Sequence, residues 1–418
     1  MTLTDLTPSR VRERIGSSVL GVRDFRWLWT AQSVSTIGDQ VFPIAATVSV
    51  LNSGGTVAEL GLVLGARWLA IVLFALVGGV WADRLPRRLV MMSADLFRFA
   101  AIGLLALAPF QPPVWALALL VFFVGAGEAF FRPAETALLP SLLPRARLNS
   151  ANALISISYR TAAVVGPGLG GLLVVGFHQV RWAYAVNALT FLISFACLFR
   201  VREPVRRLQS AAPAFVHEMR EGLAEVRRQP WVLGTLVGGA LLLMAVIAPE
   251  NVLLPIIGRR EFGSDAVFAA SMALFSLGGV FGALLAIRWR PRRPGKVAWL
   301  LGLSFALVPL TLVYSHSPWP ILAAYLVTGA CWEPFAVWWT SALQREIPSD
   351  KLARVSSVDW MASFGLMPLG LALTGPLVAQ VGETTVLLGS IVVLVAITVC
   401  VLRVPGVAEF RRPGVSRD

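Results

Sequence analysis

Charge is what this chain has least of. Only 14% of its 418 residues are Asp, Glu, Lys or Arg, where a soluble domain carries about a quarter. A protein bathed in water on all sides is therefore excluded. Histidine is almost absent. The three residues His178, His217 and His316 are scattered in or beside loops. With no HExxH, no zinc-ligand spacing and no nucleophile elbow, the sequence offers no metal centre and no hydrolase site, and an enzyme is not expected. The Gly-x-x-x-x-Gly-Lys-Ser/Thr phosphate loop is missing too, which argues against an ATP-driven pump. Cysteine is scarce. Cys197, Cys331 and Cys400 fall within apolar runs, so they read as small packing residues and not as a disulfide framework.

Apolar side chains fill the space. They make up 56% of the chain, and the mean hydropathy is +0.73. Runs of about twenty apolar residues recur from end to end, each able to cross about 30 Å of hydrocarbon as a helix. A β-barrel would instead show short alternating segments. The fold class is an all-α polytopic membrane protein. Twelve spans are predicted, at residues 26–51, 58–82, 89–109, 113–138, 149–176, 180–200, 231–257, 266–287, 297–314, 319–343, 353–381 and 384–403. Turn residues separate several of them, as in Asn52-Ser53-Gly54-Gly55, Gln111-Pro112-Pro113, Ser315-His316-Ser317-Pro318 and Gly382.

The net charge of +13 would suit a nucleic-acid partner, but its distribution points to a membrane. With the N-terminus inside, the inside loops hold Arg84, Arg87 and Arg88, Arg145 and Arg147, the stretch Arg200 to Arg228, and Arg288 to Lys296. The outside loops hold Arg181, Arg259 and Arg260. This bias puts both termini in the cytoplasm of a multi-pass protein of the inner (cytoplasmic) membrane, with no nucleic-acid partner. The first 22 residues are polar and basic, without an apolar core or a cleavage site, so the first span serves as its own insertion signal.

The expected organisation is a cytoplasmic tail (1–25), a six-helix half (26–200), a linker (201–230), a second six-helix half (231–403) and a C-terminal tail (404–418). In the linker, Phe215, Val216, Met219, Leu223 and Val226 recur at helical spacing, so an amphipathic surface helix is expected. The halves repeat at a constant offset: Gly78 with Gly282, Arg84 with Arg288, Thr136 with Thr340, Pro144 with Pro348, Gly166 with Gly370 and Gly171 with Gly375. Repeated halves around a midplane site are a transporter architecture.

One loop organises the rest. Gly79-Val80-Trp81-Ala82-Asp83-Arg84-Leu85-Pro86-Arg87-Arg88 sits between two spans, and its charges cannot rest cheaply in hydrocarbon. It resembles the signature loop between helices 2 and 3 of the major facilitator superfamily, with Pro86 where that family usually has Gly. Val165-Gly166-Pro167-Gly168-Leu169-Gly170-Gly171 resembles the antiporter motif of drug exporters in the family, where helix 5 packs on helix 8. Gly278, Gly279 and Gly282 offer a matching smooth face. The stretch from Glu128 to Pro144, the run Leu148-Asn149-Ser150-Ala151-Asn152-Ala153, and Asp95-Leu96-Phe97-Arg98 are similar to the subgroup of enterobactin and macrolide exporters. The resemblance implies a gating role for Gly79, Asp83, Arg84, Arg87 and Arg88. Asp83 and the arginines would tie helix 2 to the start of helix 11, where a helix N-terminus favours an acid.

Charges within spans are costly, about 2.5–3.5 kcal/mol at mid-bilayer, so each is a functional candidate. Asp39, Glu128, Glu250 and Glu333 fall in spans 1, 4, 7 and 10, and Glu135 and Asp359 are further acids. Arg67, Arg132 and Arg160 are the candidate counter-ions. The resemblance implies that helices 1, 4, 7 and 10 line the central cavity, so every cavity helix carries an acid. One or two of these would exchange a proton for substrate, Asp39 first and Glu128 next; static ion pairs are the alternative at each position. Aromatics crowd two of the same spans: Phe122, Phe123, Phe130 and Phe131 in the fourth, and Trp332, Phe335, Trp338 and Trp339 in the tenth. They could wall a cavity for lipophilic molecules.

The expected function is a secondary transporter exporting drugs or lipophilic natural products. It would need no cofactor, would be driven by the proton gradient and would work as a monomer. Export of a siderophore or a lipid-like molecule is the second reading, and a non-transporting membrane sensor the third.

Overall fold

The computed structural model describes residues 19–108, 112–177, 179–204, 215–289 and 291–411. Side chains within the helices are left aside at 76–80, 82–84, 145, 215–219, 349–350 and 353. Among the described residues there are helices and no strands. Twelve helices are long and apolar enough to cross a membrane. They are α1 (Arg23–Asn52), α2 (Val57–Arg84), α3 (Arg87–Leu107), α4 (Val114–Leu142), α5 (Arg145–Phe177) and α6 (Val180–Phe199) in the first half. The second half holds α7 (Pro230–Phe262), α8 (Ala266–Arg288), α9 (Pro294–Tyr314), α10 (Pro318–Glu346), α11 (Ser349–Gly365 and Met367–Val381) and α12 (Glu383–Leu402). A separate helix spans Phe215–Arg227.

Local chemistry sets the helix ends. The Thr56 hydroxyl accepts from the Glu59 amide while the Glu59 carboxylate accepts from the Thr56 amide, a reciprocal cap that starts α2. Pro230, Pro294 and Pro318 open α7, α9 and α10, where a missing N–H costs nothing. Gly263 ends α7 with φ +64°, a left-handed conformation that suits glycine. The helix Phe215–Arg227 lies on the start of α11. Gly222 faces the Arg354 carbonyl so closely that a methyl group there would sit 2.8 Å from it. Lys351 meets Glu225 at 2.9 Å and Arg354 meets Glu221 at 2.7 Å.

In the first half, α4 packs on α2 and α3, and α1 on α5 and α6. In the second, α8 packs on α10, and α7, α11 and α12 pack together. The halves meet along α2–α11 and α5–α8. Repeat-related glycines make both joints: Gly375 of α11 abuts Ala58 of α2, and Gly171 of α5 abuts Ala269 of α8. Both joints lie toward the end of the bundle that holds the α1–α2 and α11–α12 turns. There one hydrophobic core runs through both halves, from Val41 and Leu60 to Leu253, Phe268 and Leu371. At the opposite end, which carries the basic loops, each half has its own core: Phe25, Met91 and Leu138 in the first, Trp231, Trp339 and Phe410 in the second. The halves thus share one apolar core at one end and keep separate cores at the basic end.

Candidate functional site

Two helix approaches bring the buried charges together. Gly125 lets α4 lie against the Arg67 carbonyl of α2, and Gly127 leaves room for the Arg98 side chain of α3. A Cβ at Gly127 would sit 2.5 Å from Arg98 Cγ. Glu128 then receives two arginines. Arg67 donates to one carboxylate oxygen from Nη2 at 2.8 Å and Nε at 3.2 Å. Arg132 donates to the other from Nη2 at 2.8 Å and Nε at 3.0 Å. Bonds of this kind, ionic and two per arginine, are the strong ones.

Beside this clamp lies a second network. Arg98 donates to Asp95 at 2.6 Å, and the Ser194 hydroxyl of α6 donates to the other Asp95 oxygen at 2.6 Å. The same guanidinium reaches both oxygens of Asp39, on α1, at only 3.4 Å. The Phe131 and Phe191 rings sandwich it, 4.7 and 4.3 Å from their centroids, so a fully buried cation gains two aromatic faces. Glu135 completes the set; among the described residues its hydrogen-bond partner is the Tyr159 hydroxyl, at 3.4 Å. Four acids (Asp39, Asp95, Glu128, Glu135) therefore share three arginines (Arg67, Arg98, Arg132). The cluster is one positive charge short. Glu128 and Asp95 hold the close pairs, which leaves Asp39 and Glu135 the least compensated.

The second half is built differently. Glu250 of α7 is buried, and among the described residues one of its carboxylate oxygens has no hydrogen-bond partner. Tyr325 of α10, within electrostatic reach of Glu250, has an unbonded hydroxyl as well. Glu333 of α10 reaches across to Arg160 of α5 at 2.6 Å, a pair that joins the two halves while both side chains stay partly open. Asp359 accepts from the Trp339 indole at 3.1 Å.

A cavity of about 220 Å³ lies between the halves. Its walls are Phe42, Pro43 and Ala46 of α1, Leu64, Arg67 and Trp68 of α2, Phe268 and Met272 of α8, and Met367 and Leu371 of α11. Trp68 stacks on Phe364 across the joint, with ring centroids 5.0 Å apart and planes 1° from parallel. The volume is below the roughly 300–1,000 Å³ of drug-sized sites. A larger substrate requires the halves to move around it.

Several sequence expectations take a different form here. Arg98, not Arg67, Arg132 or Arg160, faces Asp39; its spacing one turn from Asp95 was the available signal. The three arginines expected as counter-ions do pair with candidate acids, Arg67 and Arg132 with Glu128 and Arg160 with Glu333. The antiporter-motif glycines divide their work. Gly166 packs on Gln40 and Gly170 on Ile44, both of α1, and only Gly171 meets α8. The smooth face of Gly278 and Gly282 is taken by Leu326 and Ala330 of α10, because α8 and α10 are neighbours within one half. Pro167 lies inside a continuous α5. Trp338 and Trp339 are buried in the second half's core, where Trp231, Phe335 and Phe410 pack around Trp339, so they do not wall the central cavity. On α4, Phe131 is buried against Arg98 while Phe123 faces outward beside Phe97.

Two residues of the signature loop, Arg87 and Arg88, bond within the first half. The backbone amides of Arg87 and Arg88 donate to Glu203 at 3.1 and 3.0 Å, which caps the start of α3 with an acid. The Arg88 side chain donates to the carbonyls of Leu198 and Phe199 at the end of α6, and that of Arg87 to the Ala137 carbonyl of α4. The side chains of Asp83 and Arg84, and the surroundings of Gly79, lie outside the described residues.

Two six-helix halves around a central cavity, with charges buried on the helices beside it, define a polytopic membrane transporter fold. A family profile for the Major Facilitator Superfamily matches residues 28–371. The chain belongs to that superfamily. Macrolide efflux protein A of Streptococcus pyogenes is 27% identical over 402 residues, covering 93% of this chain and 96% of the relative. The multidrug efflux pump Tap of Mycolicibacterium fortuitum is 28% identical over 365 residues, covering 82% and 87%. Among solved structures, the nucleoside transporter NupG (D323A mutant) aligns with a TM-score of 0.72 at 14% identity, covering 91% of this chain and 99% of that one. A bacterial homologue of the iron transporter ferroportin in an inward-facing state aligns with a TM-score of 0.70 at 18% identity, covering 92% and 99%. At these identities the structures speak for the fold alone.

Proposed function

We propose that this protein exports lipophilic small molecules across the cytoplasmic membrane by alternating access, in exchange for protons. The observation that carries the reading is the asymmetric joint: the halves share one core at one end, keep separate cores at the basic end, and enclose an apolar cavity between. The basic end is taken as cytoplasmic, with both termini on that side, because cytoplasmic loops concentrate Lys and Arg. The conformation is then open to the cytoplasm, ready to load. Residues 26–200 and 231–403 act as the two rocking bodies, with 201–230 as the linker between them. No catalytic step, cofactor or nucleic-acid partner enters this mechanism, and one chain holds the whole path.

Proton coupling rests on charge balance. An acid with a weak counter-charge or none is costly in hydrocarbon, so the least compensated acids are where a proton is carried. Asp39 fits in the first half, and Glu250 in the second. Glu128, clamped by two arginines, fits a structural role. Arg160 and Glu333 serve as a strut between the halves. The efflux relatives support drug or natural-product export. An anionic siderophore is disfavoured by the charge of the first-half cluster, where Asp39, Asp95, Glu128 and Glu135 outnumber Arg67, Arg98 and Arg132, and by the pairing of Arg160 with Glu333.

The test is export from a host stripped of its own pumps, over a panel of dyes, macrolides and siderophores, with and without a protonophore, beside Asp39→Asn. Protonophore-sensitive export that the variant loses is the expected result. Export indifferent to both treatments would refute proton exchange, and absence of flux for every compound would favour a sensor.

A further inference from the structure

The wall of the central cavity is apolar apart from Arg67 and three neutral side chains. Gln40 and Thr47 of α1 enter it from the first half, and Asn251 of α7 from the second. Gln40 and Thr47 are seven residues apart, two helical turns, so they share a face of α1. Thr47 and Asn251 stand at the same offset as Gly78 and Gly282, so each half puts a hydrogen-bonding group at the matching place of the repeat.

All three have hydrogen-bonding capacity to spare. The Thr47 hydroxyl is fully buried and has no partner among the described residues. A threonine inside a helix commonly bonds the carbonyl one turn back, as Thr136 does with Arg132 and Thr374 with Gly370. Thr47 does not. The Gln40 and Asn251 side chains make no hydrogen bond among the described residues either. Arg67 differs, since its guanidinium is spent on Glu128 at 2.8 Å. The acids of the first-half cluster are not among the described lining residues. A wall with unpaired polar groups favours a guest that satisfies them over one that cannot.

The order along the chain adds a second point. Gln40 follows Asp39, and Asn251 follows Glu250. Successive residues of a helix point about 100° apart. Asp39 therefore turns to Arg98 while Gln40 turns to the cavity, and Glu250 is buried while Asn251 lines the wall. In both halves an acid proposed to carry a proton shares a helical turn with a polar group of the wall.

We infer that the cavity selects uncharged lipophiles bearing hydroxyl or carbonyl groups at two ends, one end taken by Gln40 and Thr47 and the other by Asn251. The inference rests on the export reading, to whose cavity it gives a specificity. A guest held in this way bridges the two halves.

The test is binding to the full-length protein in nanodiscs by equilibrium dialysis, against empty discs. The probes are naphthalene, naphthalenedimethanol with its hydroxymethyl groups at opposite ends, and the permanent cation trimethylammonionaphthalene. Wild type should bind the diol about tenfold more tightly than naphthalene, or about 1.4 kcal/mol, and more tightly than the cation. Thr47→Val and Asn251→Leu keep the shape and remove the polar group, and each should cut the diol preference about threefold. Asn251→Gln, which keeps the amide, should retain most of it. Naphthalene bound above background reports an intact cavity in each variant. A diol preference unchanged in both variants, or a cation bound more tightly than the diol, would overturn this inference and leave export standing. Binding of all three probes to wild type at the empty-disc level would overturn the cavity as a binding site, and the export reading with it.

Discussion

Arg98 is the residue whose loss should be felt most. It is buried, paired to Asp95 at 2.6 Å and Asp39 at 3.4 Å, and sandwiched by two aromatic rings. Arg98→Ala would strand two acids in a low-dielectric interior. Breaking a buried pair in this way costs about 3–5 kcal/mol. The expected outcome is a lower thermal midpoint in detergent or nanodiscs, with Arg98→Lys retaining part of the loss. An unchanged midpoint would mean that the network carries little stability. The acid on α1 was legible in the sequence because Ser35-Thr36-Ile37-Gly38-Asp39-Gln40 sits well inside an apolar run. Its partner was not. Pairing depends on how helices rotate about their axes, and many arginines in the first half satisfy the hydropathy pattern equally well. Glu128 shows the same limit: Arg132, four residues on, is a visible partner, but Arg67 comes from another helix.

At the scale of the element, glycine decides how helices meet. Gly375 lies where a Cβ would come within 2.2 Å of the Ala58 backbone, and Gly61 where it would come within 2.2 Å of the Leu371 carbonyl. Both are α2–α11 contacts at the shared-core end. Overpacking of this kind costs about 1–3 kcal/mol. Gly375→Ala should charge that cost to the closed joint alone, and so shift the population toward opening at that end. Distances between spin labels on the α1–α2 and α7–α8 turns would report it as a gain in the long-distance fraction. A distribution identical to wild type would show that the joint does not set the balance. The elements themselves were largely readable, because twenty apolar residues are a local signal. All twelve spans lie where hydropathy places them. Their basic ends run further: α5 begins at Arg145 instead of residue 149, and α10 reaches Glu346 instead of residue 343. A helix does not stop where hydrocarbon does, and polar residues outside the bilayer continue it without strain. Use of a helix face is harder to read. Gly278 and Gly282 are a smooth surface in sequence, but only packing assigns them to α10.

At the scale of the whole molecule, Arg160–Glu333 bridges the halves while both side chains stay partly exposed. Pairs so exposed contribute about 0–1 kcal/mol to stability. Glu333→Gln should therefore leave the thermal midpoint nearly unchanged while altering how readily the halves separate. A changed turnover rate at constant stability is the expected outcome; a large fall in stability with unaltered turnover would assign the pair to folding instead. The central claim is exchange of protons for substrate through weakly compensated acids, Asp39 with its long contact to Arg98 and the buried Glu250. The measurement that tests it most directly uses purified protein in liposomes carrying a pH-sensitive dye. A substrate from the efflux panel is added, and proton movement is recorded with no other gradient imposed. Substrate-driven proton flux that Asp39→Asn and Glu250→Gln each abolish, with substrate binding retained, is the predicted result. Substrate transport without proton movement, or proton flux untouched in both variants, would contradict the account.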